Sequence, residues 1–155
     1  MDDTPWLTEP EMLIWRSFIE ASGRLNTQLS DSLKRESDLT LDDYEVLVHL
    51  SEADDQRLRM TELSGRLLHS QSRLTQRVDR LAKRGLVDRE RCPDDRRGKF
   101  AVLTPAGLSL IETAAPAHVR DVRRLLIDLI EPHEQAAFGE LLQRIAEAAR
   151  NADHG

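Results

Sequence analysis

The 155-residue chain is long enough to bury a single core, and its 4% aromatic content, with abundant Leu, Ala, Glu and Arg, favours helices over sheet. Its net charge of −6 is unevenly spread: residues 57–99 hold 13 Lys+Arg against 6 Asp+Glu, so a basic segment sits in an acidic body. No apolar run reaches the roughly 20 residues of a membrane helix, the acidic start lacks the order of a secretory signal, and the lone Cys92 excludes an internal disulfide.

Taken in chain order, residues 11–35 place Ile14, Phe18, Ala21, Leu25, Leu29 and Leu33 at helical spacing, with Trp15 and Ile19 on an adjacent stripe. A helix with two apolar faces has two surfaces to cover, one of them suited to a partner chain. Thr40 followed by Leu41-Asp42-Asp43 predicts a capped second helix, carrying Tyr44, Leu47, Val48 and Leu50 to about Ala53. Asp54-Asp55-Gln56 reads as a polar turn and Leu58-Arg59-Met60 as a short strand. Thr61 is expected to cap a third helix with Leu63, Leu67 and Leu68 inward, and Ser70 a fourth with Leu74, Val78 and Leu81 inward. Gly85 is the expected left-handed stop. Leu86 to Cys92 reads as a strand, Pro93 to Gly98 as a turn and Lys99 to Leu103 as the returning strand. Thr104-Pro105 restarts helix, expected to reach about Ile130 with a kink at Pro116, and Pro132 opens the last helix. This order predicts an all-α protein with a small β-hairpin wing.

The fourth helix turns Gln71, Ser72, Arg73, Thr75, Gln76, Arg77 and Arg80 outward, side chains able to bond base edges or phosphates. Gln71, Ser72, Arg73 and Gln76 are the candidate base readers. Ser70, Thr75 and Arg77 are the candidate phosphate contacts. In the hairpin, Arg96 and Arg97 suit the negative potential of a narrow minor groove, Lys99 suits a phosphate, and Asp95 suits pairing with an arginine. The chain carries none of the common hydrolase, phosphate-loop or metal-ligand motifs, and His49, His69, His118, His133 and His154 are scattered. No enzyme activity and no cofactor or metal are expected.

In this order and spacing, Leu39-Thr40, the run from Ser70 to Leu81, Gly85-Leu86-Val87-Asp88-Arg89, Asp95-Arg96-Arg97 and Leu103-Thr104-Pro105-Ala106-Gly107 resemble the MarR (multiple antibiotic resistance regulator) family. The resemblance implies a winged helix-turn-helix with a helical dimerisation region. On that layout residues 38–104 bind double-stranded DNA, while residues 1–37 and 105–155 build a homodimer. It further implies a repressor, Arg97 in the minor groove with Asp95 and Arg96 in support, and release by a small anionic aromatic ligand, while the lone cysteine makes a cytoplasmic location the expectation. Trp15, Arg16, Ile19, Tyr44, Val48 and His49 are the candidates to flank that ligand. Two alternatives stand beside this reading: a winged helix used only for protein contacts, and a thiol-based redox regulator acting through Cys92, whose arginine neighbours favour thiolate.

Overall fold

The computed structural model describes residues 4–67 and 69–152, with the side chains of 95–97 and 152 outside that description. Two compact units divide the chain, residues 1–119 and 120–155. The elements are α1 (Glu9–Ser37), α2 (Leu41–Ser51), β1 (Arg57–Arg59), α3 (Met60–Leu67), α4 (Gln71–Lys83), β2 (Val87–Cys92), β3 (Asp95–Leu103), α5 (Pro105–Leu125) and α6 (Gln135–Ala152).

The capping chemistry sets most of these boundaries. Thr40 accepts the Asp43 amide at 3.1 Å while the Asp43 carboxylate takes the Thr40 amide at 3.3 Å, a reciprocal box that opens α2. Thr104 caps α5 by accepting the Gly107 amide at 3.0 Å, with Pro105 at the first helical position. At the end of α4 the Leu86 amide reaches the Leu81 carbonyl and the Gly85 amide the Ala82 carbonyl, with Gly85 at φ +72. That pairing closes the helix only if Gly85 stays left-handed. A Cβ on Gly85 would meet no atom within 4 Å. Gly85→Ala is therefore expected to cost only the backbone strain, about 1 kcal/mol, seen as a fall of about 3 °C in Tm.

The core of the first unit fills the space between α2, α3, α4 and the sheet. Leu39, Val46, Leu47, Leu50, Leu63, Leu74, Val78 and Val87 are fully buried, and Leu33 joins from the end of α1, where Leu29 is also buried. The apolar stripe of α1 is buried only there. Towards its start Ile14, Trp15, Phe18 and Ile19 lie open, Ile14 at 70% exposure. The sheet is antiparallel in the order β1-β3-β2. In the second unit, α6 likewise leaves Phe138, Leu141, Leu142 and Ile145 exposed. Among the described residues no helix is long and apolar enough to cross a membrane.

Several boundaries differ from the sequence expectation. Helix α3 starts at Met60, so Thr61 lies inside its first turn rather than capping it. Leu68 lies outside the described residues. The reversal after β2 occupies only Pro93-Asp94, and β3 already begins at Asp95. Arg91 pairs with Lys99 but Cys92 with Asp95, so residues 96–98 form a bulge on β3 rather than a turn. Helix α5 continues through Pro116 but stops at Leu125, where Leu126 takes a non-helical backbone, instead of reaching Ile130. Pro132 lies in a turn, and α6 begins three residues later at Gln135.

Candidate nucleic-acid interface

The connection between α3 and α4 is held from within. The hydroxyl of buried Ser64 donates to the His69 carbonyl at 2.6 Å, and the His69 amide returns to the Ser64 carbonyl at 3.2 Å. Ser70 then caps α4 by accepting the Arg73 amide at 3.3 Å. With Leu74, Val78 and Leu81 buried, the opposite face of α4 is presented outward. Gln71, Ser72, Arg73 and Gln76 are exposed and Thr75 is half-buried, as expected for side chains free to meet a partner.

Arg77 departs from that pattern. Its guanidinium donates to Asp43 Oδ1 at 2.7 Å, Asp42 Oδ2 at 2.7 Å and Thr40 Oγ1 at 3.1 Å, and its side chain is only 15% exposed. It is a bolt between α4 and the start of α2, not a residue on the open face. The two carboxylates, which stand in the first turn of α2 beside the Thr40 cap, also serve as its counter-ions. Burial pushes the Asp43 carboxyl up, but the hydrogen bonds from Arg77 and Thr40 and the nearby Arg77 charge outweigh it and hold the group below the usual carboxylate value. Arg80 remains exposed, 3.7 Å from Asp43.

Further contacts join α4 to its neighbours. Arg89 of β2 donates to Asp79 of α4 at 2.7 Å, fixing the wing against the helix. Arg84 donates to the Asp38 carbonyl at 2.7 Å, fastening the end of α4 to the end of α1. Thr104 donates its hydroxyl to the Gly85 carbonyl at 2.7 Å and so ties the base of the wing to the end of α4. On the sheet, the Arg57 guanidinium stacks 4.0 Å from the Phe100 ring and pairs with Glu90 at 3.5 Å. Lys99 is exposed. The side chains of Asp95, Arg96 and Arg97 lie outside the described residues, and their backbone belongs to β3 and its bulge.

The six candidate ligand contacts are only partly brought together. Tyr44, Val48 and His49 line a cleft of about 470 Å³ that is also lined by Glu45 of α2, Arg66 of α3 and His118 of α5. The Tyr44 and His118 rings stand 4.5 Å apart at 50°. Trp15, Arg16 and Ile19 do not line this cleft; they lie on the exposed early part of α1. Arg66 and His118 were missed because only the tertiary fold places α3 and α5 beside α2. Cys92 is free but only 4% exposed, so a thiol reaction there first requires the hairpin to open. No cluster of three or more His, Cys, Asp or Glu side chains able to hold a metal occurs among the described residues.

A three-stranded sheet with a hairpin wing, packed behind a capped helix-turn-helix, defines a winged helix-turn-helix protein. The MarR family model matches residues 37–98. Sco3205, a MarR family transcriptional regulator from Streptomyces coelicolor solved in complex with DNA, is 42% identical, with a TM-score of 0.92 over 94% of this chain and 91% of that one. AbsC, a MarR family transcriptional regulator of the same organism, is also 42% identical, with a TM-score of 0.91 over 96% of this chain and 99% of that one. PcaV, a transcriptional regulator from the same organism solved with its natural ligand, is 26% identical, with a TM-score of 0.72 over 96% and 99% of the two chains. The chain belongs to the MarR family of DNA-binding transcription regulators, which are not enzymes.

Proposed function

We propose that the chain is a homodimeric repressor that reads a pseudo-palindromic operator through α4 and the wing and is released by a small anionic aromatic ligand. The observation that carries the DNA reading is the outward face of α4, where Gln71, Ser72, Arg73 and Gln76 stand exposed on a helix bolted down by Arg77 and Arg89. Residues 38–104 form the reading unit in this proposal. Residues 1–37 and 105–155 supply dimer contacts, a role supported by the open apolar faces of α1 and α6. Two-fold symmetry then sets half-sites about 10 base pairs apart. Arg97, with Asp95 and Arg96, keeps the minor-groove role implied by its place in the family motif.

For the ligand, the cleft at Tyr44, Val48 and His49 is the preferred seat, with Arg66 as the cation for a carboxylate. PcaV, solved with its natural ligand, supports the idea that this fold accepts a small molecule. Binding there is proposed to favour a spacing of the two α4 helices that no longer fits DNA, a coupling of about 1–3 kcal/mol.

The deciding experiment is a titration of a 30-base-pair duplex from the upstream region of the protein's own gene against a scrambled duplex. The wild-type chain is expected to prefer the first, and Arg73→Ala to reduce that preference by about 10- to 100-fold. Equal, weak binding to both duplexes by the wild type would overturn the operator reading and favour the protein-contact alternative.

A further inference from the structure

On the wing side of α4 the fold brings together residues from five elements. Arg59 from β1, Thr61 from α3, Gln71 and Thr75 from α4, Arg89 from β2 and Lys99 from β3 line one groove of about 450 Å³. Among the described side chains that line it, three are cations, three are neutral hydrogen-bonding groups and none is a carboxylate. The contrast with the polar hollow between α2 and α4 is sharp, since Asp42 and Glu45 line that one beside Arg77 and Arg80. An anion entering the wing-side groove meets Arg59 and Lys99 beside Arg89, whose charge is shared with Asp79.

The cations are also partly oriented before any ligand arrives. Arg59 is exposed, with its guanidinium 5.3 Å from the Phe100 ring centroid. Arg89 is directed by its 2.7 Å bond to Asp79, and its Nε is buried without a hydrogen-bond partner. Arg57 is different. It pairs with Glu90, stacks on Phe100 and does not line the groove.

We infer that this groove is a seat for DNA backbone phosphate, in which Arg59, Arg89 and Lys99, with Thr61, Gln71 and Thr75, grip the strand passing between the recognition helix and the wing. The inference rests on the DNA-binding reading above and deepens it. It moves Gln71 towards a shared role, and it adds Arg59, Thr61 and Arg89, none of which the sequence pattern marked as a DNA contact. Arginine, lysine, hydroxyl and amide side chains are the groups that commonly contact phosphates, and such contacts fix register without reading sequence. Their signature is therefore loss of affinity and of salt dependence, equally on any duplex.

The test measures binding of the full chain to the upstream duplex and to the scrambled duplex between 50 and 200 mM salt. Arg59→Ala and Lys99→Ala should each flatten the log–log salt slope by about one, and together by about two, on both duplexes. The preference for the upstream duplex should stay unchanged. Arg59→Lys should restore the slope, and Arg57→Ala should leave it as in the wild type; circular dichroism checks that each variant is folded. If Arg59→Ala and Lys99→Ala keep the wild-type slope while the wild type binds DNA, the phosphate seat is wrong and the DNA reading stands. A change in preference between duplexes without a change in slope also overturns it, by making these residues base readers. A wild type with no salt-dependent binding to either duplex removes both proposals.

Discussion

Arg77→Ala should destabilise the protein by about 3 kcal/mol, because it removes the main counter-ion of the buried Asp43 carboxylate and leaves only the more distant, exposed Arg80 at 3.7 Å. Arg77 and Asp43 are 15% and 11% exposed, and they meet at 2.7 Å, so solvent offers little replacement. Thermal or urea unfolding measures the loss, and a double-mutant cycle with Asp43→Ala should show a sum well short of additive. The pair also gives the acid limb a direction. The Asp43 carboxyl lies below its usual value when folded, so its stabilisation is fully present above about pH 4 and is lost as pH falls through the lower, folded value. Asp43→Asn should be less stable at neutral pH and lose less on acidification than the wild type. For DNA the expectation differs from that for a phosphate contact. Arg77→Ala should weaken binding by loosening α4 while leaving the salt slope intact. A stable variant whose slope drops by one would return Arg77 to the phosphate-contacting role read from the sequence.

Gly107→Ala should be the most damaging single-methyl addition among the glycines with described surroundings. A Cβ at Gly107 would sit 2.2 Å from the Leu86 carbonyl oxygen and 2.7 Å from Leu103 Cδ1. The side chain of Leu103 can shift, but the Leu86 carbonyl cannot move freely, since it accepts the Thr104 amide at 3.2 Å. Relief requires the first turn of α5 to lift away from the base of the wing. The expected cost is about 3 kcal/mol, at the upper end for overpacking. In a melt it should far exceed Gly85→Ala, whose added methyl meets nothing. Similar melting temperatures for the two variants would mean that α5 and the wing are not closely packed in solution.

These two sites show where the sequence was legible. Caps and stops depend on a few adjacent residues, so Thr40, Ser70, Gly85 and Thr104-Pro105 announced their helices correctly. The buried face of α4 followed from spacing alone, and its exposed face was right at Gln71, Ser72, Arg73 and Gln76. The exposure of Arg77 was overestimated because its partners are 34 to 37 residues away, and helical spacing alone does not separate an ion-paired arginine from a solvated one. Arg59 was passed over for the same reason, since the groove forms only when β1 pairs with β3 beside α4. The hairpin turn was overestimated because polar residues and glycine were taken as loop, whereas the backbone of 95–98 keeps strand character through a bulge. At Leu125 and Gln135 the helix ends were misjudged because the neighbouring apolar residues continue a helical rhythm that the backbone does not follow.

The burial of Cys92 gives the molecule a built-in clock. As the only thiol in the chain, it gives any alkylating reagent one cysteine to label. At 4% exposure that sulfur is reached only when the hairpin parts from the domain. When reclosing outpaces alkylation, the rate of labelling thus follows the population of the open wing, in the manner of hydrogen exchange at a single amide. The same rate compared with and without DNA reports how firmly the duplex holds the wing shut, with no mutation introduced.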